Sequence, residues 1–235
     1  MMVAEWFTYY GYSLGWSTVR KMSDKQAYGL FDKFADRAWK RGGKSIKQYE
    51  KNIHRVLPDS TARERSELAR YCMHSYATYW CDAFRMPDWS PERIAGLPVS
   101  GVENLERSMA TSDVSPIIVV PHSGNYDAGA AFLAAHYGSI TTIAERLKPE
   151  KLFDKFVDFR ASNGVEVIAA GDPSAMTLLE ERVRDQKLVG IVGERDLSRR
   201  GIPVDFFGTE ARMPAGPAVL ARRTGAPLHA ASFWY

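Results

Sequence analysis

Ile117-Ile118-Val119-Val120-Pro121-His122-Ser123-Gly124-Asn125-Tyr126-Asp127-Ala128-Gly129-Ala130-Ala131-Phe132-Leu133 decides how this chain is read. Four consecutive β-branched residues predict a short buried strand. The Ala-rich run after Asp127 favours a helix. Between them Gly124-Asn125 predicts a tight turn, with His122 at the strand end and Asp127 at the helix start. On one continuous helix five residues would carry the Asp127 side chain about 140° away from His122. Across a turn the two are able to meet. A carboxylate on one imidazole nitrogen fixes the tautomer and leaves the other nitrogen free to take a proton. The plainer reading is that Asn125 or Asp127 caps the helix and His122 is an ordinary hydrogen-bonded histidine. The spacing alone favours that reading, and the downstream context has to decide.

Working outward, the period stays that of alternating strands and helices. Strands are expected at 140–144, 165–169, 188–192, 203–207 and 228–234. Helices are expected at 127–137, 149–163, 172–186 and 214–224, with Gly138, Gly164 and Gly225 after three of them. The pattern predicts an α/β fold with a largely parallel central sheet flanked by helices. Upstream, helical spacing dominates up to about residue 110, with helices expected at 24–40, 45–57 and 61–84. No internal repeat or low-complexity linker divides the chain, so 1–110 and 111–235 are expected to pack as a single domain. The 228–234 strand runs straight into the last residue, and an uncovered edge there is a liability. That ending suggests either a truncated chain or an unusual ending.

The 235 residues are 45% hydrophobic, enough for one substantial core. No run of about 18 apolar residues exists, which argues against a spanning helix. The first residues lack a basic n-region and include Glu5, unlike a secretory signal. Cys72 and Cys81 match no zinc or redox spacing. No metal is implied, because no His, Cys and acid cluster has ligand spacing. The net charge of +3 conceals an asymmetry. Arg20 to Arg55 holds 11 basic and four acidic residues, a local net of +7. Ahead of it lie Trp6, Phe7, Tyr9, Tyr10, Tyr12, Leu14 and Trp16 with little charge. Aromatics followed by a basic helix suit an anionic membrane surface. The competing reading packs these aromatics on the protein's own core, and both hold if different faces are used. Nucleic acid is disfavoured, because no RNP-type motif is present and the aromatics are not interleaved with the basic residues.

Other polar clusters follow strand ends. Glu194-Arg195-Asp196 comes just after the 188–192 strand. If that strand runs parallel to 117–120, the cluster shares an edge with His122, where open α/β sheets bind ligands. Glu145-Arg146 follows the 140–144 strand, and Arg160 on the next helix is placed to approach from the side. On spacing alone a surface salt-bridge cluster is the favoured reading of Glu194-Arg195-Asp196, and the plainer reading of Arg160 is a solvated helix face. Phe206-Phe207-Gly208 followed by Arg212-Met213-Pro214-Ala215-Gly216-Pro217-Ala218 suggests a rigid wall beside a pocket.

Taken in this order, His122-Ser123-Gly124-Asn125-Tyr126-Asp127, then Glu194-Arg195-Asp196-Leu197, then the Phe206–Ala218 run resemble the bacterial lysophospholipid acyltransferase superfamily. Within it the chain is most similar to the branch of lipid A acyltransferases and actinobacterial phosphatidylinositol mannoside acyltransferases, and to the mannoside enzymes above all. Two features depart from the pattern. Tyr126 stands where the family usually has Trp, and members usually continue for another helix-rich segment. The resemblance implies transfer of a long, palmitoyl-like acyl group from acyl-CoA to a mannose hydroxyl of a phosphatidylinositol mannoside. His122 would be the general base and Asp127 its orienting carboxylate. Glu145, Arg160, Glu194, Arg195 and Asp196 would bind the polar acceptor, since sugar hydroxyls suit charge-assisted bonds. Free N–H groups near the helix start would face the oxyanion. Acyl-CoA is then a substrate and no cofactor is expected. The expected location is peripheral, on the cytoplasmic face of the plasma membrane.

Overall fold

The computed structural model describes residues 2–196 and 201–235, with side chains from residue 9 onward. Six α-helices come first: α1 (Met2–Arg20), α2 (Asp24–Arg41), α3 (Lys44–Val56), α4 (Ala62–Arg85), α5 (Pro91–Ala95) and α6 (Val102–Thr111). Their boundaries are written in the sequence. Ser23 and Thr61 form capping boxes with Gln26 and Glu64 at the starts of α2 and α4. Gly42, at φ 60°, ends α2. Arg85 on α4 donates to the carbonyls of Val19 and Met22 and pairs with Asp24, which ties the end of α1 to the long central helix.

The second part alternates as expected: β1 (Ile117–Val120), α7 (Tyr126–Tyr137), β2 (Ile140–Ala144), α8 (Glu150–Ala161), β3 (Val165–Ala169), α9 (Ala175–Arg184) and β4 (Leu188–Val192). A hairpin of β5 (Ile202–Asp205) and β6 (Glu210–Met213) follows, then α10 (Gly216–Thr224) and β7 (Leu228–Ala230). Five strands form a parallel sheet in the order β3-β2-β4-β1-β7, and β5 with β6 form a separate antiparallel pair. All carboxyl ends of the main sheet therefore open on one edge.

The sheet is buried on both faces, as parallel sheets are. Ile117 joins Leu179, Val183 and Leu220 beneath α9 and α10. Its neighbour Ile118 points the other way, to Leu105 and the α6–α7 side. A third cluster joins the two parts of the chain. Trp16 of α1 packs with Met86, Ala128, Ala131, Leu152, Phe156 and Phe159. The core-packing reading of the aromatic first helix holds for one of its faces. Trp16, Tyr9 and Tyr12 face this cluster, whereas Tyr10 and Leu14 are exposed. The side chains of Trp6 and Phe7 lie outside the described residues. Among those described, no helix is long and apolar enough to cross a membrane, and no group of His, Cys, Asp and Glu is arranged to hold a metal ion.

The last strand is shorter than the sequence suggests. After Ala230 the backbone leaves the sheet and crosses the β1–α7 turn. Ala231 N–H donates to the Val119 carbonyl, and Phe233 N–H to Ser123 Oγ. Tyr235 O–H reaches Asp82 at 2.9 Å. This crossing explains two glycines. At Gly124, with φ +50°, a Cβ would lie 2.5 Å from the Phe233 carbonyl carbon, and at Gly129 it would overlap the Phe233 ring.

Candidate active site

The parallel register builds the site. β1 pairs with β4 so that Ile117 lies opposite Val189 and Val120 opposite Val192. Two residues beyond each strand end stand His122 and Glu194. Their side chains meet, with His122 Nδ1 2.6 Å from Glu194 Oε1. Gly193 keeps this approach open, since a Cβ there would lie 2.7 Å from Val119 Cγ1. The His122 side chain is 42% exposed and that of Glu194 30%. Glu194 Oε2 is buried and meets no hydrogen-bond donor among the described residues. A carboxylate oxygen facing Nδ1 accepts that nitrogen's proton, so in the neutral imidazole Nε2 is the nitrogen with the lone pair.

Asp127 does not orient the imidazole through its carboxylate, contrary to the sequence expectation. Its side chain is buried, and its oxygens take Arg160 Nε at 2.9 Å and Tyr79 O–H at 3.0 Å. The reason is the turn itself. α7 begins at Tyr126, and its first turn swings Asp127 inward between α4 and α8. There Arg160 balances its charge. Burial alone would lower the Arg160 pKa, but the Asp127 carboxylate outweighs this and the net shift is upward. Tyr126 and Tyr79 complete the network. Their rings stack at 5.1 Å and 25°, and their hydroxyls are 2.6 Å apart. Burial first, then the Asp127 charge, pushes the Tyr126 phenol up to about 12, and the same two causes push Tyr79 higher still. The Tyr126 ring also meets the His122 ring edge-to-face at 5.2 Å.

Asn125 caps α7 by accepting from Ala128 N–H at 2.8 Å. Its amide nitrogen donates to Asp82, which is buried and also receives Tyr28 O–H at 2.5 Å and the Tyr235 hydroxyl. The turn between His122 and Asp127 is therefore held by α4 on one side and by residues 231–235 on the other. Gly129 N–H goes to the Asn125 carbonyl. Among the described residues, no acceptor takes the N–H groups of Tyr126 or Asp127 at the start of the helix.

The remaining sequence candidates separate into two groups. Glu145 and Arg195 are exposed, just past the ends of β2 and β4. Arg160 and Asp196 face inward. Asp196 Oδ2 accepts Gly201 N–H at 2.7 Å, and Arg212 donates to the Gly201 carbonyl at 3.0 Å, which joins the base of the hairpin to the end of β4. Leu197, Arg199 and Arg200 lie outside the described residues. Phe206 and Phe207 form no wall. They sit at the hairpin turn, edge-to-face with each other at 4.7 Å and exposed. Phe207 and Gly208, at φ 52° and 67°, are the central pair of a two-residue turn that matches the strand twist. Glu194 as the imidazole's partner, Tyr79 and Asp82 were not singled out from the sequence. Glu194 had a signal, the equal two-residue offset of His122 and Glu194 from their strand ends. Tyr79 and Asp82 had none, because they read as part of an amphipathic helix.

Known proteins resemble this chain over most of its length. The sequence profile of the bacterial lipid A biosynthesis acyltransferases matches residues 1–235. A phosphatidylinositol mannoside acyltransferase of Mycolicibacterium smegmatis is 40% identical over 228 residues, covering 96% of this chain and 74% of the relative. A phosphatidylinositol mannoside acyltransferase of Mycobacterium tuberculosis is 36% identical over 233 residues, covering 97% of this chain and 73% of the relative.

Proposed function

The chain belongs to the bacterial lipid A biosynthesis acyltransferase family and is an acyltransferase, and from that premise we propose that it moves a long, palmitoyl-like acyl group from acyl-CoA to a mannose hydroxyl of a phosphatidylinositol mannoside. One observation supports the mechanism: an imidazole at the open edge of a parallel sheet, anchored at Nδ1 by Glu194 and, among the described residues, without a hydrogen-bond partner at Nε2. Nε2 takes the proton of the acceptor hydroxyl as its oxygen attacks the thioester carbon. Glu194 stabilises the imidazolium that forms. The tetrahedral intermediate then expels the CoA sulfur, which recovers the proton from Nε2, and the ester is released. General base catalysis of this kind supplies roughly 10²–10⁴-fold. The Tyr126 and Asp127 N–H groups at the helix start are suited to the transient oxyanion. No covalent enzyme intermediate is required, and Ser123 is occupied in accepting Phe233 N–H.

Glu145 and Arg195 are our choice for the acceptor's hydroxyls and phosphate, since they are exposed at the same edge. Arg160 supports the site through Asp127. We assign the protein to the cytoplasmic membrane face as a peripheral enzyme. Exposed Tyr10 and Leu14 on α1 and the basic residues of α2 and α3 support that assignment. The test is CoA release by the purified protein with palmitoyl-CoA across phosphatidylinositol mannosides, lysophospholipids and lipid A precursors. Release that depends on the mannoside acceptor and vanishes in His122→Ala supports the reading. Release only with a lipid A precursor replaces the acceptor, and release unaffected by His122→Ala ends the mechanism.

A further inference from the structure

Two contacts converge on the Tyr79 hydroxyl, and their donor order is fixed by chemistry. Asp127, paired with Arg160, only accepts, so the single proton of Tyr79 goes to Asp127 Oδ2. The Tyr79 oxygen then accepts the proton of the Tyr126 hydroxyl, 2.6 Å away. Face-to-face stacking holds the same two rings nearly parallel. Tyr126 is thus gripped at both its face and its tip. Its remaining ring contact is with the imidazole of His122, edge-to-face at 86°. Among the described residues the imidazole has two supports, Glu194 at Nδ1 and the Tyr126 ring. These two supports together set the direction in which Nε2 points.

We propose that Tyr79 is a positioning residue for the base: through Tyr126 it sets the orientation of His122, so that helix α4 fixes the aim of a catalytic group on the far side of the β1–α7 turn. This rests on His122 acting as the base in the reaction proposed above. The pair is matched in this chain. Tyr126 carries a hydroxyl, and Tyr79 supplies the acceptor for it. Tyr79 touches neither reacting atom and is not itself catalytic. Loss of its hydroxyl would leave the ring stack in place but untie the tip of Tyr126 and one oxygen of Asp127. A reacting group misplaced by about 1 Å loses roughly 10²-fold in rate, so a partial loosening is expected to cost about 10-fold.

The experiment uses the full chain and four variants: Tyr79→Phe, Tyr126→Phe, the double variant, and Tyr76→Phe as a control on an exposed position of the same helix. Two readouts are taken on protein shown by circular dichroism to be folded. One is kcat and KM for CoA release. The other is the position of the His122 imidazole signal in proton–carbon NMR spectra, assigned by its loss in His122→Ala. Expected are a kcat about 10-fold lower in Tyr79→Phe with KM within about 2-fold, a similar loss in Tyr126→Phe, and a double variant no worse than the worse single one. The His122 signal moves in all three and stays in place in Tyr76→Phe. Tyr126→Phe keeps the Tyr79–Asp127 bond, so it tests the idea even if Tyr79→Phe fails to fold. Unchanged kcat and an unmoved His122 signal in the folded variants overturn the proposal, as do losses that multiply in the double variant. The NMR readout does not need turnover. If the wild type transfers acyl groups to none of the acceptors but its His122 signal moves in Tyr79→Phe, the reaction is wrong and the positioning stands. If the wild type is active, His122→Ala is dead and both readouts are silent in the tyrosine variants, the positioning is wrong and the reaction stands.

Discussion

Among the described residues two histidines meet carboxylates, and they differ in how many ring nitrogens are held. His122 meets Glu194 through Nδ1, at a half-exposed sheet edge, and among the described residues Nε2 has no carboxylate. His74, on α4, has both ring nitrogens occupied: Nδ1 lies 2.8 Å from Asp32 and Nε2 3.0 Å from Asp36, both on α2. Arg70 also binds Asp36 and, with His74, holds that carboxyl down at about 2. Burial would lower the His74 pKa, but the two aspartates outweigh it and raise it. An imidazole with a carboxylate on each nitrogen is a clasp between two helices. An imidazole with a carboxylate on one nitrogen has a lone pair left for a substrate proton. The number of anchored nitrogens distinguishes the two roles more sharply than the presence of a His–acid pair.

That difference can be broken or sharpened experimentally, beginning with the largest effect. His122→Ala is expected to lower CoA release by roughly 10³-fold, whereas His74→Ala leaves kcat per folded molecule within about 2-fold of the wild type; steady-state kinetics on the two purified variants checks both, and equal losses would erase the distinction. Glu194→Gln keeps the shape but weakens support for the imidazolium, and a kcat loss of roughly 10²-fold is expected, with little change in KM. Asp127→Asn leaves the buried Arg160 guanidinium without its counter-charge. Urea unfolding is expected to show a stability loss of about 3 kcal/mol, with a smaller kcat loss than in Glu194→Gln; the reverse ranking would return Asp127 to the imidazole. The smallest effect belongs to the clasp. His74 has a raised folded-state pKa, so its contribution is full below the unfolded value near ~6.5 and is lost as pH rises through the folded value. The melting temperature of the wild type minus that of His74→Gln is therefore expected to shrink between about pH 6 and about pH 8. A difference that grows with pH would mean that His74 is neutral when bound.

Much of this was legible in the sequence, for reasons visible in particular residues. β1, α7, β2, α8, β3, α9 and β4 follow from short β-branched runs alternating with helical spacing, punctuated by Gly138 and Gly164. The edge shared by His122 and Glu194 follows once the strands are parallel. The pairing within that edge was misread. Sequence proximity favours Asp127 as partner for His122, but the helix that starts at Tyr126 rotates Asp127 into the interior. The register of two strands brings Glu194 into its place from 72 positions away. The shortened β7 was also hidden, because residues 228–234 have the composition of a strand throughout. Contact with Ser123, Gly124 and Gly129, not local propensity, draws Phe233 off the sheet.

The central claim is that Glu194 fixes the His122 tautomer and leaves Nε2 to receive the acceptor's proton. Nitrogen NMR of the His122 imidazole in the wild type reads this directly. The account expects a proton on Nδ1 and a bare Nε2 in the neutral ring, with the preference weakened in Glu194→Gln. A neutral ring protonated at Nε2, with Nδ1 bare in both proteins, would contradict it.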